Sequence, residues 1–203
     1  MKQMISVMVA MFLSLPAYLF AQEQVDAPKF KNGDYWHFNL SAKMAVSSSS
    51  FQSGVYEVLF NDAKLQIFKV EQNEKSPVDS SLGITISILQ AMLGRGNYLG
   101  GKYLEFPLSV GQKWDVEYTI RPTGARTDVS YKGEITVSGF ESVSTPAGNF
   151  RVLKLTREIR GSNRKNSTIT YYYSPEAKSA VKFLLDSSDG TRNVELVKFG
   201  AGQ

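Results

Sequence analysis

Short runs rich in valine, isoleucine, phenylalanine, tyrosine and threonine dominate the chain, and residues that favour turns separate them. Nine of these runs predict β-strands: Asp34–Ser41, Val55–Asn61, Lys64–Glu71, Gln112–Arg121, Asp128–Phe140, Phe150–Gly161, Ser167–Ser174, Ala180–Asp186 and Arg192–Phe199. After residue 112 no separator is long enough for a crossover helix, so we expect consecutive strands to pair antiparallel.

Apolar and polar side chains alternate within the predicted strands. Ile169, Tyr171 and Tyr173 fall on one side of their strand, whereas Tyr172 falls on the other. One buried and one solvated face is typical of antiparallel sheets. The pattern therefore predicts an all-β fold, mainly antiparallel, with a strongly curved meander or half-barrel sheet of about nine strands.

Residues 80–93 break the strand pattern. Asp79 before them and Gly94 after them are suitable helix caps, and apolar residues recur at spacings of three and four. The alternation at 84–88 would also suit a strand. We favour a short helix packed on the sheet.

A weak repeat links the two parts of the chain. A Gly-x-x-Trp sequence at 33–36 recurs at 111–114. This recurrence suggests that a single domain over 22–203 contains two related halves, 30–101 and 106–203.

The first 21 residues have the features of a secretory signal peptide. Lys2 gives a short basic start, an apolar stretch follows, Pro16 interrupts it, and Ala21 offers a cleavage point. The alternative is an uncleaved membrane anchor, although the stretch is near the lower length limit for spanning. We expect cleavage, a periplasmic or secreted location, and no stable transmembrane segment afterwards. Lipid attachment is not expected, because the sequence has no cysteine.

Composition excludes several classes of function. The absence of cysteine removes disulfides, thiol nucleophiles and iron–sulfur clusters, and a single histidine, His37, makes His-rich metal sites implausible. The net charge of +4 is mild, and no basic stripe suggests nucleic-acid binding. We find no phosphate loop, dinucleotide motif or Gly-x-Ser-x-Gly elbow.

A few residues could carry chemistry. Trp36 and Trp114 could be aromatic platforms for a ligand, but we expect each to fill the core at a strand start. No nucleophile motif accompanies His37, so we expect a histidine that is either on the solvent side or packed on the sheet. Asp115 and Glu117 share one face and could form an acid/base pair with a third partner. We expect instead that they are exposed acidic residues on the solvated face of a strand.

Two further segments are interpreted as hairpins. Residues 186–190 carry oxygens suited to calcium but lack the spacing of a calcium loop, so we expect a turn. A second hairpin is locally basic and is expected to be a solvated one that protects a sheet edge. Its basic residues are Arg151, Lys154, Arg157, Arg160, Arg164 and Lys165.

Three motifs resemble those of a group of exported bacterial β-proteins catalogued as domains of unknown function. They are F-P-L-x-V-G-x-x-W at 106–114, T-P-A-G-x-F at 145–150 and Y-x-Y-S-P-E at 171–176. The resemblance implies an exported, mostly antiparallel β-fold and carries no active site. The architecture also resembles, more loosely, lipoprotein-carrier folds, in which a half-barrel covered by a helix holds an acyl chain.

Together these observations favour a non-enzymatic cell-envelope protein. In one hypothesis it binds a lipid or another amphiphile in the concave face of the sheet. In the alternative it is an interaction module for an envelope protein. A carrier needs a cavity of roughly 300 Å3 or more, whereas an interaction module can have a filled interior. No catalytic, cofactor-binding or metal-binding residue, and no cofactor, is assigned.

Overall fold

A computed structural model describes residues 23–44, 51–95, 104–120, 126–162 and 166–202, and the all-β antiparallel class is confirmed. The signal peptide predicted at 1–21 lies outside the described residues. In chain order, the strands and helix are β1 (Gln24–Val25), β2 (Tyr35–Met44), β3 (Gly54–Asn61), β4 (Lys64–Glu71), β5 (Glu74–Pro77), α1 (Gly83–Met92), β6 (Leu108–Ser109), β7 (Lys113–Ile120), β8 (Val129–Thr145), β9 (Gly148–Gly161), β10 (Asn166–Ser174), β11 (Ser179–Ser187) and β12 (Gly190–Gly200).

Ten strands form one antiparallel sheet in the order β5-β4-β3-β2-β12-β11-β10-β9-β8-β7, and β1 pairs with β6 in a small second sheet. The large sheet consists of two meanders joined where β2 pairs with β12, with Tyr35 opposite Gly200. All nine predicted strands are present. The nine predicted strands do not include β1 and β6, which have two residues each, or β5, whose Glu-Lys-Ser-Pro sequence contains no apolar strand pattern.

The helix predicted at 80–93 is confirmed as a 3-10 turn, Ser80–Leu82, followed by α1. The Asp79 carboxylate accepts a hydrogen bond from the backbone N–H of Ser81, and Gly94 ends the segment with φ +68°. Helix α1 buries one side in the protein core, with Ile88, Leu89 and Met92 inaccessible to solvent.

The inner face of the sheet, the face turned toward α1, is filled by large side chains. Alternation along β10 is confirmed, because Tyr171 and Tyr173 are buried and Tyr172 is half-buried on the other face. The largest fully buried residues include Trp36, Phe38, Tyr56, Tyr171, Tyr173, Phe183, Ile88, Leu89 and Met92. In the part of the chain that the structure describes, helix and sheet thus share one packed core.

The T-P-A-G-x-F motif forms the turn of the long β8–β9 hairpin, and the tip of this hairpin contacts β12. Pairing of β11 with β12 ends where Lys182 lies opposite Glu195. Just beyond, the backbone N–H of Ala147 donates to the carbonyl of Leu196 (3.2 Å). The ring of Phe150 packs 5.8 Å from that of Phe199. The motif therefore has a structural role, because it links the tip of the β8–β9 hairpin to β12.

The two Gly-x-x-Trp sequences have the same local geometry. Gly33 and Gly111 have φ +86° and +85°, a region that favours glycine. Each glycine N–H donates a hydrogen bond of 2.8 Å to a carbonyl of the next strand. Gly33 donates to Phe60, and Gly111 donates to Val137. In both cases the tryptophan faces the residue two positions before that carbonyl. Duplication of the two halves is compatible with this geometry and stays a prediction.

Candidate functional site

The large sheet has two edges, β5 and β7, and they differ. Strand β5 has four residues, all exposed, and ends at Pro77. Short length and proline, which β7 lacks, are devices that keep an edge strand from pairing with other chains; charge is another, and both edges carry it. Strand β7 has eight residues, contains no proline, and pairs with β8 in unbroken register from Lys113 to Ile120. Of the two edges, β7 is the one suited to receive another strand.

The hydrogen-bond pattern shows which backbone groups point outward. Both the N–H and the C=O of Val137 bond toward β7, to Gln112 and Gly111. Antiparallel ladders alternate, so Trp114, Val116 and Tyr118 direct their N–H and C=O groups toward β8. The intervening residues direct theirs away from the sheet. We call this row the β7 edge; its residues are Lys113, Asp115, Glu117 and Thr119, and no described strand pairs with it.

Beside the β7 edge, three carboxylates lie side by side in a row that crosses adjacent strands on one face of the sheet. Asp115 lies directly opposite Glu134, which lies directly opposite Glu158. Like charges in directly opposed positions destabilise a sheet. Lys113 relieves part of this repulsion through an ion pair with Glu134 (2.8 Å). Among the described residues, Asp115 and Glu158 make no ion pair, so the row keeps unneutralised negative charge.

An open cleft of about 550 Å3 lies over this row on the outer face of the sheet. Four carboxylates and two cations line it: Asp115, Glu117, Glu134, Glu158, Lys132 and Arg160. Asp115 and Glu117 share a face, as predicted. Glu117 is held in an ion pair with Lys132 (3.0 Å), which leaves Asp115 as the β7-edge carboxylate without an ion-pair partner among the described residues.

The inner side of β7 is apolar and aromatic. Val116 is buried, and Trp114 and Tyr118 are half-buried. The Tyr118 ring stacks on Tyr131 with centroids 4.8 Å apart and planes at 9°. The guanidinium of Arg157 lies 5.6 Å from the Tyr118 ring, and its side chain is inaccessible to solvent. The prediction of a solvated basic hairpin that protects a sheet edge is therefore wrong. Arg157 points inward beside aromatic rings, and the two hairpin strands, β9 and β10, lie inside the sheet. Arg164 and Lys165 lie outside the described residues.

A second polar cluster lies near the opposite edge. His37 Nε2 is 2.6 Å from Glu57 Oε2, and Lys75 Nζ is 2.7 Å from Glu57 Oε1. The Glu57 side chain is only 6% exposed although it is on the outer face. A solvent-side or sheet-packed position is predicted for His37, and no role is predicted for Glu57. Only the strand register, which puts His37 opposite Glu57, could have signalled the pair.

We expect Glu57→Gln to lower the free energy of unfolding by about 2 kcal/mol, because a buried carboxylate that accepts a hydrogen bond from the Lys75 ammonium group is replaced by a neutral amide. Urea denaturation monitored by tryptophan fluorescence measures the change. The matched control is Glu134→Gln, which removes an exposed, solvent-screened ion pair and should lower the free energy of unfolding much less. Equal losses in the two variants would contradict the structural role of Glu57.

The remaining candidate residues occupy positions in the core, at a strand start or in a turn. Trp36 is buried and its indole N–H donates to the carbonyl of Ala177 (2.7 Å), which agrees with the expected core role. Trp114 is half-buried at the start of β7. The segment 186–190 is the turn between β11 and β12, as expected. Within the described ranges, no three metal-ligating side chains converge, and no helix is both long and apolar enough to cross a membrane.

No family model and no curated protein matches this sequence. Among solved structures, similarity extends to a protein from Bacteroides fragilis described as exported and as having a YmcC-like fold. It is 10% identical, with a TM-score of 0.37, and the match covers 87% of this chain and 99% of that one. A protein from Parabacteroides distasonis described as a lipoprotein is 11% identical, with a TM-score of 0.44 and coverage of 88% and 100%.

A hypothetical lipoprotein of Escherichia coli, YmcC, is also similar. It is 11% identical, with a TM-score of 0.39, and the match covers 84% of this chain and 86% of that one. At these identities the likeness concerns the fold alone, so function has to be argued from the residues of this chain.

Proposed function

We propose that this chain is an exported protein of the bacterial cell envelope that acts by binding another polypeptide, without catalysis. The partner adds an extended segment to the sheet at the β7 edge. In such β-augmentation, main-chain hydrogen bonds supply affinity and alternate side chains supply specificity.

The open β7 edge is the observation that carries this proposal. Lys113, Asp115, Glu117 and Thr119 are exposed, and their backbone groups point away from β8. A strand edge of this length, with no proline or bulge, is a template for pairing. The contrast with β5, which is short and ends at Pro77, supports a specific role for β7.

The filled interior favours an interaction module over the carrier of an apolar ligand. Helix α1 lies on the inner face of the sheet, and Ile88, Leu89 and Met92 occupy the space that an acyl chain would need. The cleft of about 550 Å3 is on the outer face and is lined by charged side chains. Such a lining suits polar contacts better than an alkyl chain.

The envelope location rests on the N-terminal sequence. A basic start, an apolar stretch and a small residue at Ala21 are typical of secretory signals. The absence of cysteine in an exported chain is commoner in a bacterial periplasm than outside eukaryotic cells.

Site-specific photo-crosslinking in the producing cells tests the proposal. A benzoylphenylalanine residue is introduced at Thr119 in β7 or, as the matched control, at Ser76 in β5. We expect a discrete cross-linked adduct from position 119 alone. The adduct should disappear when Glu117→Pro is added, because proline removes an outward N–H while leaving the β8 ladder intact. An adduct that persists with the proline, or equal adducts from both strands, would contradict strand addition at β7.

Native mass spectrometry addresses the carrier alternative. The mature protein is purified from its own cell envelope, and its mass is measured before and after organic extraction. We expect the same mass in both samples. A discrete excess mass that is lost on extraction would identify a bound amphiphile and favour the carrier instead.

A further inference from the structure

The geometry points to the chemistry of the incoming strand: we infer that it carries a lysine or arginine opposite Asp115, between two apolar residues. This inference rests on the proposed strand addition at the β7 edge. It specifies which of many extended segments the edge would accept.

The basic residue follows from the row of carboxylates. Asp115, Glu134 and Glu158 occupy directly opposed positions on three neighbouring strands, about 4.8 Å apart. A strand added beyond β7 places its own residue in the next position of that row, directly beside Asp115. A cation there neutralises the one carboxylate at the β7 edge that has no ion-pair partner among the described residues, whereas an anion would extend the repulsion.

The neighbouring positions of the incoming strand face the other side of the sheet. There they lie beside Trp114 and Val116, with the Tyr118 ring one step further. Apolar side chains suit this aromatic and aliphatic surface, because their burial is favourable and no polar group is left without a partner. The preferred segment therefore alternates apolar and basic residues, in the period-two pattern of a strand.

Charge at Glu117 contributes less to this preference. Its carboxylate is already engaged by Lys132 at 3.0 Å, so a second cation opposite Glu117 gains little. The two carboxylates of the β7 edge thus form an internal comparison, since they share a strand, a face and a similar exposure.

Binding of three synthetic peptides to the mature protein tests the inference, by fluorescence anisotropy at low ionic strength. Each is a labelled seven-residue peptide with valine at alternate positions and lysine, glutamine or glutamate at the others. We expect the lysine peptide to bind about fivefold more tightly than the glutamine peptide, and the glutamate peptide to bind least. Added salt should reduce the advantage of lysine.

Variants locate the preference. Asp115→Asn should weaken lysine-peptide binding about threefold to fivefold, whereas Glu117→Gln should change it less than about twofold. Asp115→Lys should reverse the order, so that the glutamate peptide binds best. Glu117→Pro should abolish binding of all three peptides, because an outward N–H is lost.

The outcomes separate the two proposals. Equal binding of the lysine and glutamine peptides, lost with Glu117→Pro, would overturn the charge inference and leave strand addition standing. No binding of any peptide at millimolar concentration would overturn both. A wild-type dimer in light scattering that Glu117→Pro converts to a monomer would assign the β7 edge to a second copy of this chain and overturn the inference.

Discussion

Replacing Trp36 with alanine is expected to lower the free energy of unfolding by about 4 kcal/mol. The side chain is 1% exposed, and its ring packs edge-on against Phe30 with centroids 5.3 Å apart. Its indole N–H donates to the carbonyl of Ala177, in the turn between β10 and β11. The substitution therefore creates a cavity and leaves a buried carbonyl without its donor. Guanidinium denaturation followed by far-ultraviolet circular dichroism measures the loss.

Trp114→Ala is the matched control, because both tryptophans lie three residues after a glycine at a strand start. Trp114 is half-buried on an edge strand, so its removal should cost about 2 kcal/mol, roughly half as much. A loss for Trp114→Ala as large as that for Trp36→Ala would show that the two positions are energetically equivalent despite their different burial.

Asp34→Asn is the second substitution with a large expected effect, about 3 kcal/mol at neutral pH. The Asp34 side chain is 1% exposed and accepts three hydrogen bonds. Lys178 Nζ donates to Oδ2 at 2.8 Å, the backbone N–H of Lys31 to Oδ2 at 2.9 Å, and the backbone N–H of Gly202 to Oδ1 at 3.0 Å. One carboxylate thus joins the start of β2, the turn after β10 and the last described residues.

The contribution of Asp34 depends on pH. Burial acts to raise the pKa of the carboxyl, but the hydrogen bonds from Lys178, Lys31 and Gly202 outweigh it and hold the pKa below its usual value of 3.8. Because the folded pKa is depressed, the stabilisation is fully present above about pH 4 and is lost as pH falls through the folded pKa. The stability difference between wild type and Asp34→Asn should therefore shrink in acid.

Urea denaturation at pH 7 and at pH 3 measures this change. The control is Asp26→Asn, at the exposed position directly after β1. It should alter the free energy of unfolding little at either pH. A difference between wild type and Asp34→Asn that grows in acid would contradict the role assigned to the ionised carboxylate.

Most of the fold could be predicted because its strands alternate strongly. Ile169, Tyr171 and Tyr173 carry a period-two signal that local sequence alone reveals, and the helix at 80–93 has recognisable caps. Strand β5 gave no such signal, because its four residues are exposed on both faces and need no apolar pattern. The pairing of β2 with β12 was also beyond local patterns, since it joins distant parts of the chain.

The candidate site could be predicted only in part. The shared face of Asp115 and Glu117 follows from their spacing of two, and the structure agrees. Their place at an open edge, and the alignment of Asp115 with Glu134 and Glu158, depend on strand order and register. Burial of Arg157 and Glu57 likewise depends on neighbours from other strands, which no local pattern identifies.

The central pairing of β2 with β12 has a consequence for how the protein is made. The first long strand reaches its partner only after the last strand, Gly190–Gly200, is available. Contacts between distant segments form slowly, and an incomplete sheet exposes unpaired strands meanwhile. If the chain is exported as proposed, its N-terminal half emerges first. The edge of β2 that pairs with β12 then stays unpaired until the C-terminal strand has emerged. The strand order would then delay completion of the sheet until translocation has nearly finished, when the chain no longer needs to stay unfolded.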